Sequence, residues 1–248
     1  MIIIKTKDEI EKMRKGGKIL AWILEELSKN VKQGISTGKL NEIAEKLILE
    51  KGAEPSFKNY RHYPSSLCTL VNDKVVHAIP SQKEIIKNGD IISLDLGIKY
   101  LEYYTDMAVT VPVGKISKEA KKLIAVTKKA MAKALEYVKP GDFIGDISCA
   151  VQKYVEGEGF SVIRDLVGHG LGKEVHEEPR IPNYGVPKIG PMLSEGMTIA
   201  IEPMVTAGSW EVATLDDGWT VKTKDGSLAS HFEHTVLVTK KGYEILTK

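Results

Sequence analysis

The chain has 248 residues, of which 42% are apolar and 27% charged, with a net charge of only +2. That balance suits one globular domain with a sizeable core. It excludes the strongly basic footprint of a nucleic-acid binder, so DNA is not an expected partner. No apolar run approaches the ~20 residues of a membrane span. The opening Met1-Ile2-Ile3-Ile4 is too short for the core of a secretion signal. Cys68 and Cys149 stand far apart without metal-type spacing, which reads as two free thiols and a cytoplasmic location.

In chain order, residues 8 to 31 carry Ile10, Met13, Ile19, Leu20, Ile23, Leu24 and Leu27 at helical spacing, weakened but not ended by Gly16-Gly17. A second helix is predicted from Thr37 to Lys51, stopped by Gly52. Residues 66 to 80 and 91 to 113 are rich in Val, Ile, Thr and Tyr and read as strands. A third helix spans 118 to 138 ahead of Pro140-Gly141, and its lysines read as a solvated face. A fourth runs from Gly145 to Glu158 and ends at Gly159, with strands and loops from Ser161 onward.

Helices, strands, helices, strands is the order of a duplication. One constant offset pairs Val31-Lys32-Gln33-Gly34 with Val138-Lys139-Pro140-Gly141, Gly38 with Gly145, Gly52 with Gly159, Gly89 with Gly196 and Asp95 with Glu202. Shorter echoes at other offsets pair Val76-His77-Ala78-Ile79-Pro80 with Val175-His176-Glu177-Glu178-Pro179, and Thr105-Asp106 with Phe232-Glu233. The predicted architecture is α+β: two halves, roughly 8–114 and 115–245, related by a pseudo-twofold axis within a single domain.

The echoed positions carry unusual chemistry. Asp95 lies inside the apolar run Ile91-Ile92-Ser93-Leu94-Asp95-Leu96, and Glu202 inside Ile199-Ala200-Ile201-Glu202-Pro203. A carboxylate in such a run must meet a cation, a hydrogen-bond cluster or a metal. With Asp106 and Glu233, a pseudo-twofold axis would gather four carboxylates at the centre. No matching set of Arg or Lys stands in the adjacent runs, so divalent metal is the expected remedy for their repulsion. His169, in Val167-Gly168-His169-Gly170-Leu171-Gly172, is a further ligand candidate, read here as lying on a tight loop. Oxygen donors with one imidazole suit Mn, Fe(II) or Co better than structural zinc. His77 and His176 share a Val-His-x-x-Pro context and are expected to hydrogen-bond a substrate carbonyl or amide. His62, His231 and His234 have no such echo and receive no role.

The segments Ser93-Leu94-Asp95, Tyr104-Thr105-Asp106, Gly168-His169-Gly170, Ile201-Glu202-Pro203-Met204 and Phe232-Glu233-His234-Thr235 resemble those of the type I methionine aminopeptidases, over nearly the whole chain. The resemblance implies the pita-bread fold, two halves around a central antiparallel sheet, and two divalent ions of Co, Mn, Fe(II) or Zn. It makes Asp106 and Glu233 bridging ligands, gives Asp95 to one ion and His169 with Glu202 to the other, and makes Glu202 a proton shuttle. It assigns substrate contact to His77 and His176, and a methionine pocket to Tyr60, Tyr63, Cys68 and Trp219. Aromatic rings and a thiol suit a flexible thioether. Gly97, Tyr104-Thr105, Phe57 and Val175 depart from the family pattern, the last two at pocket positions; these departures remove no ligand but bear on pocket shape and on whether any monovalent cation binds near Ser93 and Ala229.

The implied activity is removal of the initiator methionine from nascent proteins when the second residue is small. Prolidases and aminopeptidases P share such a metal core but usually carry a large extra N-terminal domain, for which this chain has no room. The stretch from His176 to Glu202 is too short for the insertion of type II methionine aminopeptidases. A non-catalytic, ribosome-associated use of the same fold is the rival from another class. The lysine-rich helix is the segment that would touch ribosomal RNA. A monomer is the simplest expectation.

Overall fold

The computed structural model describes residues 1–248. Four helices form where the apolar periodicity places them: α1 (Lys7–Lys29), α2 (Thr37–Glu50), α3 (Lys118–Leu135) and α4 (Ile144–Gly157). Thr6 opens α1 with a capping box, its side chain accepting from the Glu9 N–H while the Glu9 carboxylate accepts from the Thr6 N–H. Ser36 and Ser117 cap α2 and α3 through their hydroxyls. Helix α3 stops at Leu135, short of the predicted 138. Pro140 cannot continue a helix and disfavours helical backbone at the residue before it.

The main sheet has nine strands: β1 (Glu54–Pro55), β2 (Cys68–Val71), β3 (Ile91–Tyr100), β4 (Tyr103–Pro112), β5 (Val167–Gly170), β6 (Glu177–Pro182), β7 (Thr198–Ile201), β8 (Glu233–Thr239) and β9 (Gly242–Ile245). Its order is β1-β3-β4-β8-β7-β5-β6, with β2 also on β3 and β9 also on β8, every pairing antiparallel. Leu101 and Glu102, at φ 48° and 69°, make the two-residue turn between β3 and β4, a backbone twist that matches paired strands. Two small three-stranded sheets flank it. One joins Ala229–His231, Met204–Thr206 and Ser161–Val162; the other joins Val212–Thr214, Val221–Thr223 and Lys74–Val76.

The helices cover the sheet in two pairs. Leu20, Ile23, Leu24 and Leu27 of α1 and Leu40, Ala44 and Ile48 of α2 share one buried cluster with Ile92, Leu94, Leu96 and Ile98 of β3. Leu123, Val126, Ala130 and Met131 of α3 and Ile147, Val151 and Val155 of α4 share another with Ile199, Ile201, Val236 and Val238 of β7 and β8. Burying such side chains stabilises the fold by roughly 1.5–3 kcal/mol each before chain entropy is set against it. Gly17 belongs in α1 because an added Cβ would lie 2.3 Å from the Leu246 carbonyl oxygen. The glycine pair that weakens the helix by propensity is what lets it lie on the sheet.

Candidate metal centre

Strand register assembles the site. Asp95 on β3 and Glu233 on β8 both stand opposite Ala108 of the intervening β4, and Asp106 lies two residues before it. His169 on β5 faces Ala200 of β7, and Glu202 follows directly where β7 ends at Ile201. Pro203 ends that strand by withholding a ladder donor, and the Asn183 side-chain amide donates to the Glu202 carbonyl at 3.1 Å. The Asp106 N–H donates to Thr235 Oγ1 at 2.8 Å, and that hydroxyl donates back to the Asp106 carbonyl at 2.8 Å. The five residues singled out from the sequence are thus brought to one place by five different segments.

Donor atoms converge in two overlapping groups. Those of Asp106, His169 and Glu233 lie within 4.8 Å of one another, as do those of Glu202, His231 and Glu233. His169 Nε2 is 3.7 Å from Glu202 Oε1, and His169 Nδ1 lies 2.9 Å from the Gly170 carbonyl. A carbonyl only accepts, so Nδ1 carries the ring proton and Nε2 presents its lone pair to the carboxylates. No Lys or Arg forms an ion pair with Asp95, Asp106, Glu202 or Glu233.

Burial therefore works against their charge. It lifts Asp106 to about 7 against the Met107 N–H bond that favours the anion. Burial, with the charge of Asp106, holds Asp95 well above the usual carboxylate range. Burial and the neighbouring carboxylates do the same to Glu202 and Glu233. Glu233 Oε1 has no hydrogen-bond partner although it is buried. Three buried carboxylates and the nearly buried Glu202 with no counter-cation, one oxygen orphaned and an imidazole lone pair aimed among them fit divalent metal by their own chemistry.

The carboxylates form the floor of a cavity of about 730 Å³ lined also by Tyr60, Tyr63, Cys68, His77, His176 and Trp219. Tyr63 meets Trp219 edge-on at 5.2 Å, and its hydroxyl donates to the Ala78 carbonyl at 3.0 Å. Cys68 pairs with Asp95 across β2–β3, and burial pushes its thiol up. His77 stands edge-on to Trp219 at 6.2 Å, on left-handed backbone at φ 56°. His176 packs edge-on against His169 at 4.4 Å, and its Nδ1 lies 3.0 Å from Tyr60 Oη. Loss of solvation, then His169, His77 and Arg61, lower His176 to about 3. Loss of solvation also lowers His77. Both rings are neutral at pH 7.

Three sequence readings are corrected. His169 is on strand β5, not on a tight loop. Its flanking glycines serve close strand approach, since a Cβ at Gly168 would lie 2.4 Å from the Ala200 carbonyl oxygen and one at Gly170 2.2 Å from that of Glu178. Val175 is buried and does not line the cavity, whereas Phe57 does. His231, given no role, is 2% exposed with its ring among the carboxylates. The alternation that puts His231 on the same side of the chain as Glu233 is the signal that could have found it. His234 points away, its Nδ1 3.0 Å from Thr247 Oγ1, and His62 is exposed.

Comparison with known proteins agrees with this geometry. Residues 11–240 match the model of metallopeptidase family M24. Methionine aminopeptidase 1 of Bacillus subtilis is 51% identical over 248 residues, covering 100% of both chains. The methionine aminopeptidase of Escherichia coli is 43% identical, over 99% of this chain and 94% of its own. The methionine aminopeptidase structure from Thermotoga maritima superimposes with a TM-score of 0.99 at 47% identity, covering 100% of each chain. A prolidase from Pyrococcus horikoshii superimposes at 0.81 and 27% identity, but this chain covers only 64% of it. The shared architecture is the pita-bread fold. With a divalent-metal donor cluster at its centre and full-length likeness to these enzymes, the chain belongs to metallopeptidase family M24 and, within it, to the methionine aminopeptidases.

Proposed function

We propose that this chain removes the initiator methionine from nascent proteins, preferring a small second residue, with two divalent ions held by Asp95, Asp106, His169, Glu202 and Glu233. The observation that carries the two-ion reading is the pair of donor groups sharing Glu233. A side chain common to both donor groups could hold two ions at once. When bound, the ions supply Lewis-acid polarisation of the scissile carbonyl and a deprotonated water at neutral pH. The oxygen-rich donor set favours Mn, Fe(II) or Co over Zn.

The chain's own residues supply the rest. Tyr60 Oη lies 3.0 Å from His176 Nδ1, and in the tautomer where the hydroxyl donates, the imidazole proton stands on Nε2, free to donate to the substrate. A neutral donor is worth most where charge develops on the carbonyl oxygen in a water-poor site. His77, also neutral, acts as a second donor from the Trp219 side. Glu202, with 11% of its side chain exposed, takes the proton of the attacking water and delivers it to the leaving amine. Tyr63, Cys68 and Trp219 close around the thioether, with Tyr60 beside them.

The whole chain acts as one catalytic domain made of two related halves. It works in the cytoplasm as a monomer, and its partners are the N-termini of newly made chains. The lysine-rich α3 is the surface for any ribosome contact. The test is a peptide panel on protein reloaded with Mn, Fe(II) or Co. Methionine should be released from Met-Ala-Ser and not from Met-Leu-Ser, with Ala-Ala-Ser and Gly-Pro-Ser untouched. Cleavage of Gly-Pro-Ser without methionine preference would move the chain to the prolidase side.

A further inference from the structure

His231 is fixed in place by its neighbours before any ligand is considered. Its N–H donates to Thr110 Oγ1 at 3.0 Å and to Ser93 Oγ at 3.3 Å, and its carbonyl accepts from Thr110 Oγ1 at 2.9 Å. Ser230 Oγ donates to the same threonine at 3.0 Å. The strand Ala229–His231 is thereby bolted to both β3 and β4, and the ring projects inward with 2% exposure. Neither ring nitrogen has a hydrogen-bond partner. A buried imidazole with both nitrogens unsatisfied is rare and asks for an explanation.

The distances indicate what that explanation is. Nε2 lies 3.6 Å from Glu202 Oε2 and 3.9 Å from Glu233 Oε2. These are too long for hydrogen bonds. They are close to the separation of neighbouring donors around one ion, which is roughly 3–3.5 Å for bonds of about 2.1 Å. Glu202 then has two imidazoles beside it, His169 Nε2 at 3.7 Å and His231 Nε2 at 3.6 Å, and Glu233 is common to both donor groups.

We propose that His231 is a further ligand of the centre, its Nε2 binding the ion that Glu202 and Glu233 hold. The proposal rests on the two-ion reading above. It makes the centre richer in nitrogen than the five residues alone, which strengthens its hold on Co and other later first-row ions relative to Mn.

The test counts imidazoles and ions on the same sample. Chelator-stripped protein is titrated with Co(II) by calorimetry, and the saturated sample is examined by proton NMR. A histidine bound through Nε2 keeps an exchangeable Nδ1 proton that the paramagnetic ion shifts far from the ordinary envelope and that disappears in D2O. The expected result is two bound ions and two such signals. His231→Gln should remove one signal and weaken one ion at least about tenfold, the order by which even residues outside the ligand set change affinity. Two bound ions with a single shifted signal, unchanged in His231→Gln, would overturn the proposal and leave the two-ion reading standing. Fewer than two ions bound at saturation would overturn both. The imidazole count comes from the unmodified protein, so it does not depend on how the variant folds.

Discussion

Gly97 stands directly opposite Asp106 in the β3–β4 ladder, and an added Cβ would lie 2.2 Å from Ser56 Oγ and 3.3 Å from Asp106 Oδ1. The missing side chain leaves Asp106 its position toward the cavity. Gly97→Ala should therefore cost about 1–3 kcal/mol through overpacking and displace the Asp106 carboxylate. The expected result is a melting temperature several degrees lower together with weaker retention of metal on dialysis. An unchanged melt and unchanged metal content would mean that Ser56 yields freely and Gly97 is not needed.

Tyr60 and His176 form the second dependent pair. Tyr60→Phe keeps the ring and removes the hydroxyl that sits 3.0 Å from Nδ1. One ordinary hydrogen bond is worth about 0.5–1.5 kcal/mol, so kcat/KM should fall roughly 2–10-fold with the melting temperature unchanged. If the bond sets the tautomer in the transition state, the loss falls on kcat rather than KM. A pure KM effect would reassign Tyr60 to side-chain binding alone.

Glu202→Gln separates charge from volume. Turnover should be lost to the background of the assay, because the amide cannot take the proton of the attacking water. In metal-free protein at pH 8 the same change should raise the melting temperature, since it removes one of four clustered carboxylates that face no cation. Near-normal turnover would sink the assigned role. A lower melting temperature of the metal-free variant would show that repulsion at the centre is relieved in some other way.

The capping box of α1 predicts a pH dependence far from the site. The Thr6 N–H bond first, then the Tyr103 hydroxyl, hold Glu9 down at about 2. A depressed carboxylate stabilises the fold above its unfolded value near 4.5, and this contribution disappears as pH falls toward 2. Glu9→Gln should cost about 1 kcal/mol at pH 7 and progressively less on acidification between pH 4.5 and 2, read by denaturant melts at both ends. An equal cost at both pH values would mean that the carboxylate charge contributes nothing.

Much of the metal centre was legible because a carboxylate inside an apolar strand has few tolerable environments. Asp95 and Glu202 announced themselves that way, and the echoes drew in Asp106 and Glu233. The glycines around His169 misled for a physical reason. Glycine is a poor strand former, yet here strands approach so closely that nothing larger fits at Gly168 and Gly170. His231 was missed because the repeat supplied no partner for it, although its spacing from Glu233 carried the information. Pocket residues such as Val175 and Phe57 could not be sorted from sequence, because which side of a loop faces a cavity is decided by tertiary packing rather than by periodicity.

The most direct test of the central claim is methionine release from Met-Ala-Ser by chelator-stripped protein, measured before and after stepwise addition of Mn(II), Fe(II) or Co(II). Catalysis through the carboxylate cluster predicts no release from the stripped protein and recovery that saturates as the cluster fills, with Glu202→Gln silent at every ion concentration. Full release from protein verified to be free of metal would contradict it.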